Sequence, residues 1–377
     1  MVPKLRFKEF CGEWEEKKAE NLCKIHTGKS NTQDKVENGI YPFFVRSPII
    51  ERSNKYLYDC EAVLTVGDGV GTGKVYHYIN GKFDCHQRVY VMRNFKDIIG
   101  RYFYYYFSNN FYKRVQKMSA KNSVDSVRMD MISKMNIALP SLSEQTKIAD
   151  FLSTVDDKIQ NQQDKINHLE NIKKGFMQKI FSRKIRFKDD SGEDFPEWEE
   201  KRLYNILKEG SKEKVKDTSQ YRKITVRLNL KGINFSDLKR DMVDKRPFYV
   251  RYKNEIIIGK QNYFNGSIAI VDEKFDGCIC SNAIMSFKVI KENLKFVYWY
   301  LSQSSYISKN AYLANGTGQK ELTEKDFLNM KIDIPCLKEQ QKIAGFLSSF
   351  DQKISTEKET LEHLKQLKKG LLQQMFV

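Results

Sequence analysis

The chain is 377 residues long, 40% hydrophobic and 30% charged, and its 65 Lys and Arg outnumber its 48 Asp and Glu to leave a formal charge of +17. That length exceeds one ordinary core and calls for two or three domains, while the charge favours a polyanionic partner, nucleic acid or an anionic membrane surface alike. No apolar run approaches the roughly twenty residues of a spanning helix and no signal peptide precedes the Lys-rich start, so a soluble, cytoplasmic protein without a membrane partner is expected.

The opening KLRFKEFCGEWEEKKAENL has an echo in RKIRFKDDSGEDFPEWEEKRLYNIL: Arg6-Phe7-Lys8 and Trp14-Glu15-Glu16-Lys17 stand against Arg186-Phe187-Lys188 and Trp198-Glu199-Glu200-Lys201. Each Trp reads as a packing anchor. Between Ile40 and Tyr90 the pattern is strand-like, YPFFVRSPII, EAVLTVG, GKVYHYI and RVYVM separated by Asn, Asp and Gly turns. The run from Gly67 to Lys74, GDGVGTGK, invites a phosphate-loop reading and fails it. Walker A needs Gly where Asp68 stands and Ser or Thr where Val75 stands, and a dinucleotide fingerprint from Gly69 needs Gly where Lys74 stands. What remains is a turn whose backbone N–H groups and Lys74 approach a DNA phosphate, or a plain hairpin turn. Tyr102 to Phe107, YFYYYF, suits a helix packed on the strands better than a platform for unpaired bases. The DNA-contact candidates of this half are Arg46, Lys74, Gln87, and Lys121 and Asn122 of a polar loop.

Pro140 to Ser182 then aligns without a gap with Pro335 to Val377, an internal duplication. Apolar residues step alternately four and three in both copies: Ile148, Leu152, Val155, Ile159, Ile166 and Leu169 in the first, Ile343, Leu347, Phe350, Ile354, Leu361 and Leu364 in the second. This is a coiled-coil seam, and two such helices in one chain can pair with each other. Roughly forty helical residues make a rod about 60 Å long. The seam is interrupted at Gln162 and Glu357 and again at Lys173 and Lys368. Such positions either fix register or lie along the seam with their heads in water.

Residues 197 to 334 repeat the flanks and diverge inside. Phe296 to Leu301, FVYWYL, answers the aromatic run, and Met330, Ile332 and Pro335 answer Met135, Ile137 and Pro140, whereas EIIIGKQNYFNGSIAIVDEKF has little first-half likeness. Two similar domains reading different things are the natural expectation. Arg227, Lys260, Gln261, Asn262, and Asn315 and Lys320 of the loop NGTGQK are the candidates here. Arg and Lys suit guanine edges and Asn and Gln adenine edges, because each presents two hydrogen bonds at the required separation. Taken singly, each is more often a solvated residue or a phosphate contact.

Leu139-Pro140 to Leu152 and Ile334-Pro335 to Leu347 both read LP/IP-x-L-x-EQxKIAxFL. With the order variable domain, helix, variable domain, helix, this motif resembles the specificity subunit of type I restriction–modification enzymes over essentially the whole chain. The resemblance implies an α+β fold: two similar target recognition domains, residues 1–139 and 183–334 with its lead-in segment, joined by long helices at 140–182 and 335–377. The helices form an antiparallel coiled coil with a pseudo-twofold internal repeat. It further implies a double-stranded DNA reader in which each domain specifies half of a split asymmetric target. The helices would set the spacer and dock two modification subunits. Those methyltransferase partners carry S-adenosylmethionine, and ATP-dependent restriction subunits complete the assembly, so S-adenosylmethionine, ATP and Mg are expected on partners and no cofactor in this chain.

The residues agree that chemistry lies elsewhere. There is no Pro-Pro dipeptide, hence no Asn/Asp-Pro-Pro-Tyr methyltransferase motif, and the five His form no HxxxH or HxH pair. Of seven Cys only Cys278 and Cys280 are close, a weak zinc signal, so no metal is expected. A coiled-coil adaptor that binds proteins only, and a stand-alone nuclease or methyltransferase, are the competing readings.

Overall fold

The computed structural model describes residues 2–69, 71–118, 126–236, 246–313 and 321–376. The candidates Lys121, Asn122, Asn315 and Lys320 lie outside the described residues. Two long helices, Leu142–Phe181 and Leu337–Met375, are each continuous. The chain folds as two units, Met1–Lys165 with Glu357–Val377, and Ile166–Thr356, so each unit takes one half of each long helix.

In the first unit a six-stranded sheet runs in the order Lys24–Thr27, Val89–Arg93, Tyr58–Val66, Tyr76–Cys85, Tyr41–Phe44, Ile50–Ser53. All pairings are antiparallel except that of Tyr41–Phe44 with Tyr76–Cys85. Alternation along the strands divides their side chains between two faces. Val63 and Met92 join the core of the aromatic helix Gly100–Met118, while Ala62, Leu64 and Val91 build a second cluster with Phe44 and Phe83. Tyr102, Phe103, Tyr105, Tyr106 and Phe107 are all buried, so the aromatic run is core. Trp14 lies edge-on to Tyr102, and Phe376 packs on both Tyr102 and Tyr106 with centroids 5.6 Å away.

The second unit repeats the frame with other contents. Glu199–Arg202 pairs antiparallel with Lys331–Ile334, as Glu15–Lys18 does with Asn136–Leu139 in the first unit. Trp198 packs edge-on to Phe296 of the helix Leu294–Leu301, and Phe181 lies 5.6 Å from Phe296 and 5.5 Å from Tyr300. Where the first unit has one six-stranded sheet, this one has a four-stranded sheet ordered Leu207–Glu209, Ile284–Val289, Glu255–Gly259, Ile268–Ile270, with a three-stranded and a two-stranded sheet beside it.

Within each unit the helix halves run antiparallel. In the first, Asp156 pairs with Lys368 at 2.5 Å and Gln162 donates to the Glu357 carboxylate at 2.6 Å, so the partner number falls as the first rises. In the second, Lys173 pairs with Asp351 at 2.5 Å and Phe176 packs on Phe346 at 5.1 Å. Ile148, Leu152, Val155, Ile166 and Leu169 are buried and Ile159 half-buried; Ile343, Leu347, Ile354 and Leu361 are buried, with Phe350 and Leu364 half-buried. Full burial of such a side chain is worth up to about 1.5–3 kcal/mol. The polar interruptions are matched to each other: Gln162 meets Glu357, while Lys173 and Lys368 each find an Asp on the opposite helix. A shifted register would separate these partners.

Candidate nucleic-acid interface

Each unit is fastened to its long helix by the Glu-Gln of the repeated motif. The Gln145 oxygen accepts the Ile99 N–H at 2.9 Å, one residue before the aromatic helix, and its nitrogen donates to the Pro140 carbonyl at 3.0 Å. Gln340 does the same between the Asn293 N–H at 2.8 Å and the Pro335 carbonyl at 2.9 Å. The neighbouring carboxylates are equally buried. Glu144 takes a two-armed hydrogen bond from Arg6, both arms 2.8 Å, and Glu339 takes one from Arg186 at 3.3 and 2.9 Å and a further bond from Trp198. Each hydrogen bond to its carboxylate raises the arginine's pKa.

Away from that fastening, the first unit presents a polar edge built on the Cys85–Val89 turn. The buried Asp84 accepts from the Ser30 hydroxyl at 2.7 Å and the Cys85 N–H at 2.9 Å. Ser30 N–H donates to Cys85 and Gln87 N–H to Ser30, while the His86 ring nitrogen Nδ1 accepts the Arg88 N–H at 3.0 Å. Gly28 is required here, because a Cβ would sit 2.0 Å from the Cys85 carbonyl oxygen. Gln87 is exposed and donates from Nε2 to Asn31 Oδ1 at 2.8 Å. Asp68 lies between two arginines, 3.4 Å from Arg46 and 3.6 Å from Arg88. Burial first, then the charge of Arg46, lowers the pKa of His86 from its ordinary value. Gln87, Arg88, Asp68 and Arg128 share the walls of a cleft of about 500 Å³.

Lys74 behaves differently. The N–H groups of Thr72, Gly73, Lys74 and Val75 donate to Gly69, Val66 and Gly71 carbonyls, so they are used within the turn, and the Lys74 ammonium lies 5.1 Å above the Tyr112 ring. The N–H groups from Thr72 to Val75 are thus spent inside the turn, as in a plain hairpin turn.

In the second unit Gln261 and Asn262 are exposed on a cleft of about 270 Å³ that also involves Thr225 and Arg246. Asn262 accepts a side-chain bond from Asn265 at 3.3 Å. Lys260 is half-buried, 3.6 Å from Glu324, which also pairs with Lys212 at 3.2 Å. Burial opposes ionisation of Glu324, but the bond from Lys212 and the two lysine charges lower its pKa on balance. Arg227 is exposed in the turn between Ile224–Val226 and Ile233–Phe235. One main-chain joint recurs: Val127 N–H donates to the Gly67 carbonyl at 2.7 Å and Leu322 N–H to that of Lys260 at 3.0 Å. In each unit the chain returning from the polar loop is thus tied to the end of a central strand.

Arg46 and Gln87, singled out from the sequence, lie on the polar edge of the first unit, together with Asn31, Asp68, Asp84 and Arg88, which the sequence did not single out. Only Asn31 left a signal, a capping pattern three residues before Asp34. Among the described residues no group of three or more His, Cys, Asp or Glu could hold a metal ion, and no helix is long and apolar enough to cross a membrane.

A family model described as "Type I restriction modification DNA specificity domain" matches twice, over residues 12–171 and 196–366. The chain belongs to that family. Its two specificity domains follow the duplication seen in the sequence. Relatives named type I restriction enzyme specificity subunits include EcoDI of Escherichia coli, 29% identical over 170 residues, a match covering 45% of this chain and 37% of that one. MjaVIII of Methanocaldococcus jannaschii is 25% identical over 402 residues, covering 97% and 94%. The putative MjaX subunit of the same organism is 28% identical, covering 77% and 67%. Among solved structures, the S subunit of a type I restriction-modification system from M. genitalium matches with a TM-score of 0.62 at 16% identity, covering 100% of this chain and 99% of that one. A chain from a structure described as showing complex assembly and conformational transition of the type I R-M system reaches 0.50 at 14% identity, covering 97% of each. Identity this low speaks to fold alone, and the fold is that of the S subunits.

Proposed function

We propose that this specificity-domain protein is the non-catalytic DNA-reading subunit of a cytoplasmic type I restriction–modification complex. Its domains at 1–139 and 183–334 each read half of an asymmetric double-stranded target. The helices at 140–182 and 335–377 hold the spacer and dock two modification subunits and the restriction subunits. S-adenosylmethionine, ATP and Mg belong to those partners.

The observation that carries this reading is the loop joint repeated at Gly67 and Lys260, together with a cleft in each unit that bears exposed amide and basic side chains, Gln87 and Arg88 in the first and Gln261 and Arg246 in the second, although the surrounding sheets differ. A common frame with different reading edges suits two half-sites of different sequence. Sequencing methylated adenines in cells with and without this chain tests it: one bipartite motif should vanish when the chain is removed. A gel shift with duplex DNA separates it from a protein-only adaptor, since neutralising several phosphates makes affinity fall steeply with salt. Methyl transfer or cleavage by the isolated chain would overturn it.

A further inference from the structure

Resting on the DNA-reading assignment above, we propose that Gln87 reads an adenine through the major groove in the first half-site, and that Asn31 is the positioning residue that makes it select adenine. The turn bearing Gln87 is held from three sides, by Ser30 and the buried Asp84, by the Gly28 approach, and by the bond from the Arg88 N–H to the His86 ring. Its amide is oriented as well. The Asp34 carboxylate takes the Asn31 N–H at 2.7 Å. The Asp34 N–H goes to the Asn31 main-chain carbonyl at 3.0 Å, and the Asn31 side-chain oxygen accepts from the Gln87 Nε2 at 2.8 Å.

That contact uses one of the two Nε2 hydrogens and leaves Oε1 and the other hydrogen pointing outward. Adenine offers the complement, a donor at N6 beside an acceptor at N7. Guanine offers two acceptors, O6 and N7, and would set oxygen against oxygen. A freely turning amide could rotate to accommodate guanine. Asn31 prevents the turn, because a rotated Gln87 would face it with two oxygens in contact. Arg46 and Arg88, held by Asp68, supply cations beside the reading position for the flanking phosphates.

The test is selection from a pool of duplexes of randomised sequence by the full chain assembled with its modification subunits, followed by sequencing of the bound fraction. Gln87→Ala should cost about 5- to 150-fold preference at a single A·T pair, leaving the other positions as they were. Asn31→Ala should admit guanine at that same pair. Asn31→Asp, which retains an acceptor for Nε2, should keep adenine there. The inference is overturned if Gln87→Ala changes no position, blurs the whole motif, or alters a G·C pair, and also if Asn31→Ala leaves the discrimination intact. A wild-type complex that selects no motif at all would sink the DNA-reading assignment itself.

Discussion

Gln145 and Gln340 each give an oxygen to a main-chain N–H ahead of the aromatic helix and a nitrogen to a proline carbonyl, and both amides are almost wholly buried. Replacing either with alanine leaves a buried proline carbonyl unbonded, at about 1–3 kcal/mol, and a half-buried main-chain N–H exposed to water at a smaller cost. Urea unfolding should show that loss for Gln145→Ala and Gln340→Ala, and a smaller one for Gln145→Glu, whose carboxylate still accepts the Ile99 N–H. His86 supplies a pH dependence. Burial, with Arg46 and Arg88, outweighs the opposite pull of Asp68 and Asp34 and sets its pKa below the ordinary 6.5. Above 6.5 it is neutral whether the chain is folded or not. On acidification the unfolded chain takes the proton first, so stability declines from about pH 6.5 down through the lowered folded pKa. His26 and His77 are lowered in the same sense, chiefly by burial. Melting temperature should therefore fall as pH drops below about 6.5, and His86→Asn should make that fall shallower.

At the scale of elements, the polar breaks in the seam meet in pairs, and a polar seam position costs stability while fixing register. Replacing both Gln162 and Glu357 with leucine should raise the urea midpoint. The same variant should broaden the distances measured between spin labels on the two helices, where the wild-type pairing gives one. The long helices were legible in the sequence because a 4,3 apolar spacing repeats regardless of context, and the duplication gave each helix an independent copy to be read against. Gln87 was legible as a residue type only. Its partner Asn31 lies 56 positions away, and which end of an amide points outward is set by a fold that periodicity does not encode. The glycine run from Gly67 to Gly73 left two readings open in the sequence: glycines permit an anion-binding arc of N–H groups, and equally the tight turn that uses those of Thr72 to Val75 internally.

For the whole molecule, the two units keep a common fastening while their sheets differ in strand number and order. Exchanging residues 197–334 for the equivalent segment of a relative should therefore change one half of the methylated motif and leave the other, as read by methylome sequencing; a change in both halves would show that the domains do not read independently. The fastening also says what such a graft must bring. On the helix side, Gln145 and Gln340 are side chains of the repeated motif; on the domain side, each grips a main-chain N–H, that of Ile99 or Asn293, and Gln340 also holds the Glu292 carboxylate at 2.6 Å. A main-chain N–H is common to every residue but proline. The glutamine part of the socket thus imposes little spelling on the module plugged into it, whereas the glutamate part requires the arginine at Arg6 or Arg186 and, in the second unit, the Trp198 indole. A domain that keeps these few partners can drift elsewhere in sequence without renegotiating its attachment, and a graft of 197–334 must therefore retain Trp198 and an acceptor at Glu292.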